Sequence, residues 1–184
     1  MMHTVLVGAL LVIALVPIGA EALGGLPLSR DTYWYLNHRC VQQAAHRYHV
    51  SPVLLEAIVH VESEGNPLAV GVNRQNEGES GGRLSYTQAA ELVSRLWQQG
   101  ANFDVGLGQI NSRNLEQYRV HPAYLLDACV NLQWAAFVLR QKLDLFGNNW
   151  VAIGRYNGSK RLTQYVWKVY RSLVDLEQVR KTRR

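Results

Sequence analysis

Cysteine is almost missing from this chain: its 184 residues include two, Cys40 and Cys129. Two thiols are too few for a structural zinc site, and the six histidines show no ligand spacing, so neither a metal nor a cofactor is expected. Charged residues are also sparse, at 18% against 48% hydrophobic, a balance that excludes a disordered chain and fits one domain with a real core. No stretch alternates apolar and polar residues for long, which argues against a sheet-dominated fold. No unit of solenoid length recurs. No nucleic-acid motif is present, and nucleic acid is not among the expected partners.

Long hydrophobic runs are lacking except near the start, where Val5 to Val16 are apolar, with one glycine. That run is too short to span a bilayer comfortably. Pro17 and small residues follow it, and Ala20-Glu21-Ala22 fits the small-x-small pattern of a leader cleavage site. Residues 1–22 are therefore expected to be a cleaved signal peptide, with an uncleaved anchor as the other reading. No cysteine follows the run directly, which speaks against a lipid-anchored product. Export to an oxidising compartment gives the even pair a role: Cys40 and Cys129 are expected to form a disulfide. Charge is uneven along the chain. From residue 160 onward the net charge is +6, whereas the whole chain carries +5. Such a basic end suits an anionic polymer, a lipid surface or an acidic partner, or is simply a solvated tail.

What is abundant is helical pattern. Ser51-Pro52 is a helix start, with a capping hydroxyl and a proline pre-shaped for the first helical position. Leu54, Ala57, Ile58 and Val61 recur at helical spacing until Gly65 and Pro67 break it. An earlier helix is predicted over about 39–48. The Gly-, Asn- and Ser-rich stretch from Glu64 to Ser85 reads as a loop. Ser85 and Gln88 form a capping box ahead of Ala89, Leu92, Val93, Leu96 and Trp97. "DVGLGQIN" reads as a loop or short strand. Asp127 caps a long helix to Gly147, Asn149 starts a short one through Tyr156, and a last helix covers about 162–179. The fold class is mainly α with little sheet.

One residue sits oddly in this pattern. On the helix after Ser51, the positions sharing a face with Glu62 are Val59, Ile58 and Leu55, all apolar. A carboxyl in that place is disfavoured as an anion by desolvation and by the partial negative charge of the helix C-terminus. Held neutral, it has what a general acid needs. A frayed helix end with Glu62 turned to solvent is the bland alternative.

Three motifs accompany it in order: "ESEGNP" (Glu62 to Pro67), "GLGQIN" (Gly106 to Asn111) and "AIGRYNG" (Ala152 to Gly158). Together they resemble the soluble lytic transglycosylase family. The stretch "AAELVSRLWQQGANFDVGLGQIN" looks especially like the small peptidoglycan transglycosylases of type IV secretion, conjugation and pilus machines. The resemblance covers roughly residues 38–160. It implies a lysozyme-like α domain, a periplasmic setting, and cleavage of peptidoglycan glycan strands with 1,6-anhydromuramyl ends as product. It also implies residue roles. Glu62 is the catalytic acid and then base. Gln109 orients acetamido or hydroxyl groups of the sugar. Gly106 and Gly108 let backbone approach the glycan. Tyr156 hydrogen-bonds Glu62. Ser63 and Asn157 satisfy local backbone groups.

The sequence also departs from the family pattern. Gly71 stands where many members have a serine, so that polar contact is missing or comes from another residue such as Asn73. Gly108 stands where methionine is usual before the motif glutamine. Two other functions fit the same residues: a hydrolytic muramidase using Asp104 or Glu64 as a second carboxylate, and a wall-binding assembly subunit whose site has decayed. The expected organisation is a leader over 1–22, an N-terminal segment over 23–37, the catalytic domain over 38–160, and a basic helix and tail over 161–184.

Overall fold

Ser51 caps helix α2 (Pro52–Ser63), its side chain accepting from the Leu54 N–H, and α2 is the element on which the rest is arranged. The structure, a computed structural model, describes residues 30–72, 84–158 and 162–182. The proposed leader, Asn73 and half of the Gly-rich stretch lie outside the described residues. Helix α1 (Arg30–Tyr48) begins earlier than its sequence pattern indicates. It packs on α2 and on the long helix α5 (Ala128–Phe146), to which the Cys40–Cys129 disulfide ties it. That crosslink joins residues 89 apart. On a chain-entropy model such a closure contributes about 4–5 kcal/mol.

After α2 the chain turns through two left-handed residues, Glu64 (φ 53°) and Gly65 (φ 76°). Asn66 shapes the next step by accepting from the Leu68 N–H at 3.0 Å. The chain then forms strand β1 (Val70–Val72), inside a stretch that composition marks as loop. Helix α3 (Tyr86–Gln98) starts with the expected Ser85–Gln88 capping box. Strands β2 (Phe103–Val105) and β3 (Ile110–Asn111) complete a three-stranded antiparallel sheet in the order β1-β2-β3. Its register sets Gly71 opposite Asp104, and Asp104 opposite Asn111. Two short elements without a sequence signal follow: helix α4 (Ser112–Gln117) and a 3-10 turn (Pro122–Leu126). Asp127 and Asn149 cap α5 and α6 (Trp150–Tyr156), as their side chains predict.

Helix α7 (Leu162–Thr182) is not a detached basic tail. It lies against both α2 and α6. Val169 is fully buried and Ser172 nearly so, the latter beside His60 Nδ1 at 3.2 Å. Toward its end, Arg180 donates to the buried Glu56 of α2 at 2.6 Å, with His38 Nδ1 3.2 Å from the same carboxylate. Contacts from Tyr165 to Arg180 thus fix α7 to the core, and the helix adds residues to the site beyond position 160.

Candidate functional site

Glu62 occupies the last turn of α2. The residues beneath it on the helix face, Leu55, Ile58 and Val59, are core residues. Among the described residues its side chain meets two donors. The Tyr165 hydroxyl from α7 donates to Glu62 Oε1 at 2.7 Å, and Asn157 Nδ2, just past α6, donates to the same oxygen at 3.3 Å. Burial is the main influence on the carboxyl and raises its pKa. The hydrogen bonds from Tyr165 and then Asn157 act in the opposite direction. The like charge of Asp104 raises it further, and the Lys168 ammonium lowers it. Desolvation wins, so the neutral acid is favoured at a higher pH than for an ordinary glutamate. Because both donors engage Oε1, the acid proton belongs on Oε2. Burial, then the charge of Glu62, pushes the Tyr165 phenol well above its ordinary range, so it remains a donor.

The second motif forms a turn over Gly106 to Gln109, closed by the Gln109 N–H on the Gly106 carbonyl at 3.1 Å. Side chains from three helices pin it. Ser63 Oγ of α2 reaches the Leu107 carbonyl at 2.8 Å. Asn131 of α5 accepts from the Gly108 N–H at 2.7 Å, and its Nδ2 donates to the carbonyls of Val105 and Leu125 at 2.9 and 3.0 Å. Tyr156 of α6 donates to the Gly108 carbonyl at 2.8 Å. Each buried amide and carbonyl of the turn that these groups engage would otherwise carry a desolvation cost.

Several expected roles change here. Tyr156 bonds the turn, not Glu62; the bond to Glu62 comes from Tyr165. Glu62 is still near enough for its charge to add to the burial that raises the Tyr156 phenol. Gly106 and Gly108 are both buried. Gly106 is left-handed (φ 77°), and a Cβ there would overlap the Asn131 amide and lie 2.7 Å from the Leu125 carbonyl oxygen. A Cβ on Gly108 would lie 2.6 Å from Ala135 Cβ and 2.8 Å from the Tyr156 hydroxyl. The need for glycine therefore arises from the protein interior. Gln109 is itself left-handed (φ 45°) and spends its amide nitrogen on the Gly106 carbonyl at 2.9 Å and the Ala69 carbonyl at 3.3 Å. Its Oε1 lies 2.9 Å from where a Cβ on Gly71 would sit. A serine at 71 would need that side chain to move aside, so Gly71 and the Gln109 conformation are matched. Asn157 faces Glu62 rather than local backbone. Ser63 is structural, contacting the Val59 carbonyl at 3.2 Å as well as Leu107. Asp104 accepts from Asn111 Nδ2 at 2.8 Å, while Glu64 is exposed at the helix cap.

Two residues were not visible as site members in the sequence. Tyr165 shares its stripe with Val169 and Ser172, which marks it as inward-facing but not what it faces. Asn131 is the polar member of an apolar helical stripe with Ala135 and Val138; that mismatch was a usable signal.

A small helical domain with a three-stranded sheet at one side, and a desolvated carboxyl at a helix end beside that sheet, is the arrangement of a lysozyme-like domain. Comparison with known proteins carries this to a family. The model described as "Transglycosylase SLT domain" matches residues 39–172, and the chain belongs to that family. The match extends past residue 160 and includes Tyr165. Among similar proteins, Invasion protein IagB of Salmonella typhi is 27% identical over 170 residues, covering 85% of this chain and 89% of its own length. Protein virB1 of Rhizobium radiobacter is 34% identical over 116 residues, 63% of this chain and 45% of its own. Type IV secretion system protein virB1 of Brucella abortus is 37% identical over 95 residues, or 49% of this chain and 37% of its own.

Proposed function

We propose that this protein is a peptidoglycan lytic transglycosylase in which Glu62 alone acts as acid and then as base. The observation that carries this reading is the Glu62 carboxyl itself: desolvated at the end of α2, with Tyr165 and Asn157 both donating to one oxygen. Neutral Glu62 gives its Oε2 proton to the bridging oxygen between N-acetylmuramic acid and N-acetylglucosamine as the β-1,4 bond breaks. The departing sugar leaves with a free 4-hydroxyl. Positive charge at the muramyl anomeric carbon is met by the substrate's own acetamido oxygen, in the manner of substrate-assisted glycosidases. The carboxylate of Glu62, stabilised by Tyr165 and Asn157, then takes the proton of the muramyl 6-hydroxyl. That oxygen closes on the anomeric carbon and gives the 1,6-anhydro end. Glu62 is neutral again, and no water is consumed. Raised pKa serves the first step and the two hydrogen bonds serve the second.

The periplasm is the compartment where this substrate, a cleaved leader over 1–22 and the Cys40–Cys129 disulfide belong together. The names of the similar proteins, an invasion protein and a type IV secretion system protein, support a role in opening the wall for a secretion, conjugation or pilus machine. The test is digestion of purified peptidoglycan followed by mass spectrometry. Anhydromuramyl ends are expected from the wild-type chain and none from Glu62→Gln. Reducing ends would instead mean hydrolysis, and activity surviving in Glu62→Gln would remove that residue from the mechanism.

A further inference from the structure

An exposed apolar face at the α5–α6 corner and on α7 is left unused by this chemistry. At the corner between α5 and α6, Leu145 and Val151 are 72% and 52% exposed, with Phe146 and Trp150 open beside them. The corner is built by Asn149, whose Nδ2 donates to the Phe146 carbonyl at 2.7 Å while its Oδ1 accepts from the Val151 N–H at 2.9 Å. From α7, Trp167 and Tyr170 are 54% and 43% exposed. Tyr170 stands edge-on to Trp150 at 5.8 Å between centroids and to Trp167 at 5.6 Å, so the three rings form one cluster joining the corner to the helix. Large apolar groups gathered on a surface mark a place of contact.

Charge narrows the choice of partner. From residue 145 to residue 174 the sequence contains no Asp or Glu. Arg155 lies over the Phe146 ring at 5.6 Å, and Arg171 is exposed on α7. Asp144, just before this span, is ion-paired with Arg140 at 2.7 Å.

We propose that this face docks on the surface of an anionic lipid bilayer. Trp and Tyr rings suit the headgroup level because each has an apolar body and a polar tip. The cations meet lipid phosphates. The exposed aliphatic pair Leu145 and Val151 separates a bilayer from a polysaccharide: it gains by entering the acyl boundary and offers a sugar neither a ring face nor a hydrogen bond. Attachment is peripheral, since among the described residues no helix is long and apolar enough to cross a membrane. On α7, Trp167 and Tyr170 lie about 200° and 140° around the axis from Tyr165, at 3.6 residues per turn. Docking by them leaves the Glu62 side open to glycan.

The experiment uses the chain recovered after export, its N-terminus fixed by mass spectrometry. It is mixed with vesicles of phosphatidylcholine alone or of phosphatidylcholine with phosphatidylglycerol. Binding is read by co-sedimentation and by tryptophan quenching with brominated lipid. Preferential binding to the anionic vesicles is expected, weakened by salt and by about tenfold or more in a Trp150→Ala, Trp167→Ala double variant. Arg171→Glu lowers the preference without removing the aromatic cluster. A matching circular dichroism melt and unchanged cleavage of soluble glycan strands show that the variants are folded. Equal binding to both vesicle types, or binding insensitive to these substitutions, overturns the proposal. So does retention on catalytically inert glycan strands, in place of vesicles, that the same substitutions abolish.

Discussion

Replacing Tyr165 with Phe removes one oxygen and leaves the ring that packs between α7 and α2. The lost bond is a short one, 2.7 Å from hydroxyl to Glu62 Oε1. Its strength depends on the protonation of Glu62, because a carboxylate accepts more strongly than a neutral acid. Hydrogen bonds to a charged partner contribute about 1.5–3 kcal/mol. In the transition state of the proposed first step Glu62 is becoming a carboxylate, so the substitution adds much of that contribution to the barrier. At 1.36 kcal/mol per decade this is a fall in kcat of about 10- to 150-fold. Asn157 and Lys168 also favour the anion, so the loss belongs near the lower end of that range.

The same substitution has a second, opposite signature. Tyr165 lowers the Glu62 pKa. Without it the acid form persists to higher pH, and the alkaline limb of kcat/KM moves upward while the plateau drops. A Tyr165 that only filled space would lower the melting temperature and leave the limb in place. The assay is release of anhydromuropeptides from soluble glycan strands over a pH series, with kcat and KM separated at each pH and a thermal melt alongside. An unchanged kcat, or a limb that stays put or moves downward, refutes the reasoning.

Glu62→Gln, inactive on the proposed mechanism, should melt higher than wild type at neutral pH. The raised native pKa means that the folded state binds more protons than the unfolded one between the unfolded carboxylate value, about 4.3, and the native value, so wild-type stability falls as pH rises through that window; the advantage of Gln should vanish when melts are repeated at about pH 4. Asn131→Ala should cost about 3–5 kcal/mol in urea unfolding, since it strands one buried N–H and two carbonyls at once. Asp104→Asn keeps the acceptor for Asn111 but removes the like charge near Glu62. Activity should persist with the alkaline limb moved downward, and a fall to background would reveal a second catalytic carboxylate.

Much of the helical frame was legible because its signals are local. The caps Ser51, Ser85, Asp127 and Asn149 each accept from the backbone N–H groups that their side chains predict. The apolar stripe leading to Glu62 was equally plain, since a helix has one period and a carboxyl breaks it visibly. Elements of two to six residues left no period to read, which hid β1, α4 and the 3-10 turn. The partners of Glu62 were harder for a different reason. Tyr156 and Tyr165 are both inward-facing tyrosines near the end of the chain, and only the packing of α7 on α2 decides which hydroxyl reaches the carboxylate. The motif glycines were easy to find and easy to misread: their close neighbours are Asn131, Ala135, Tyr156 and the Leu125 carbonyl.

A single carboxyl that must first give a proton and then take one needs two opposed influences of similar strength. Burial alone would hold Glu62 neutral but leave its anion too unstable to form. Hydrogen bonds alone would keep it ionised and unable to protonate a leaving group. Here burial desolvates the group, and Asn157 and Tyr165 answer with hydrogen bonds from the end of α6 and from α7. The balance therefore depends on where α7 sits. Arg180 on Glu56 and Ser172 beside His60 fix that helix to α2, which makes them determinants of the acid's pKa without their touching it. Loosening α7 should remove the Tyr165 bond and admit water to Glu62 together, so both the raising and the lowering influence on its carboxyl weaken.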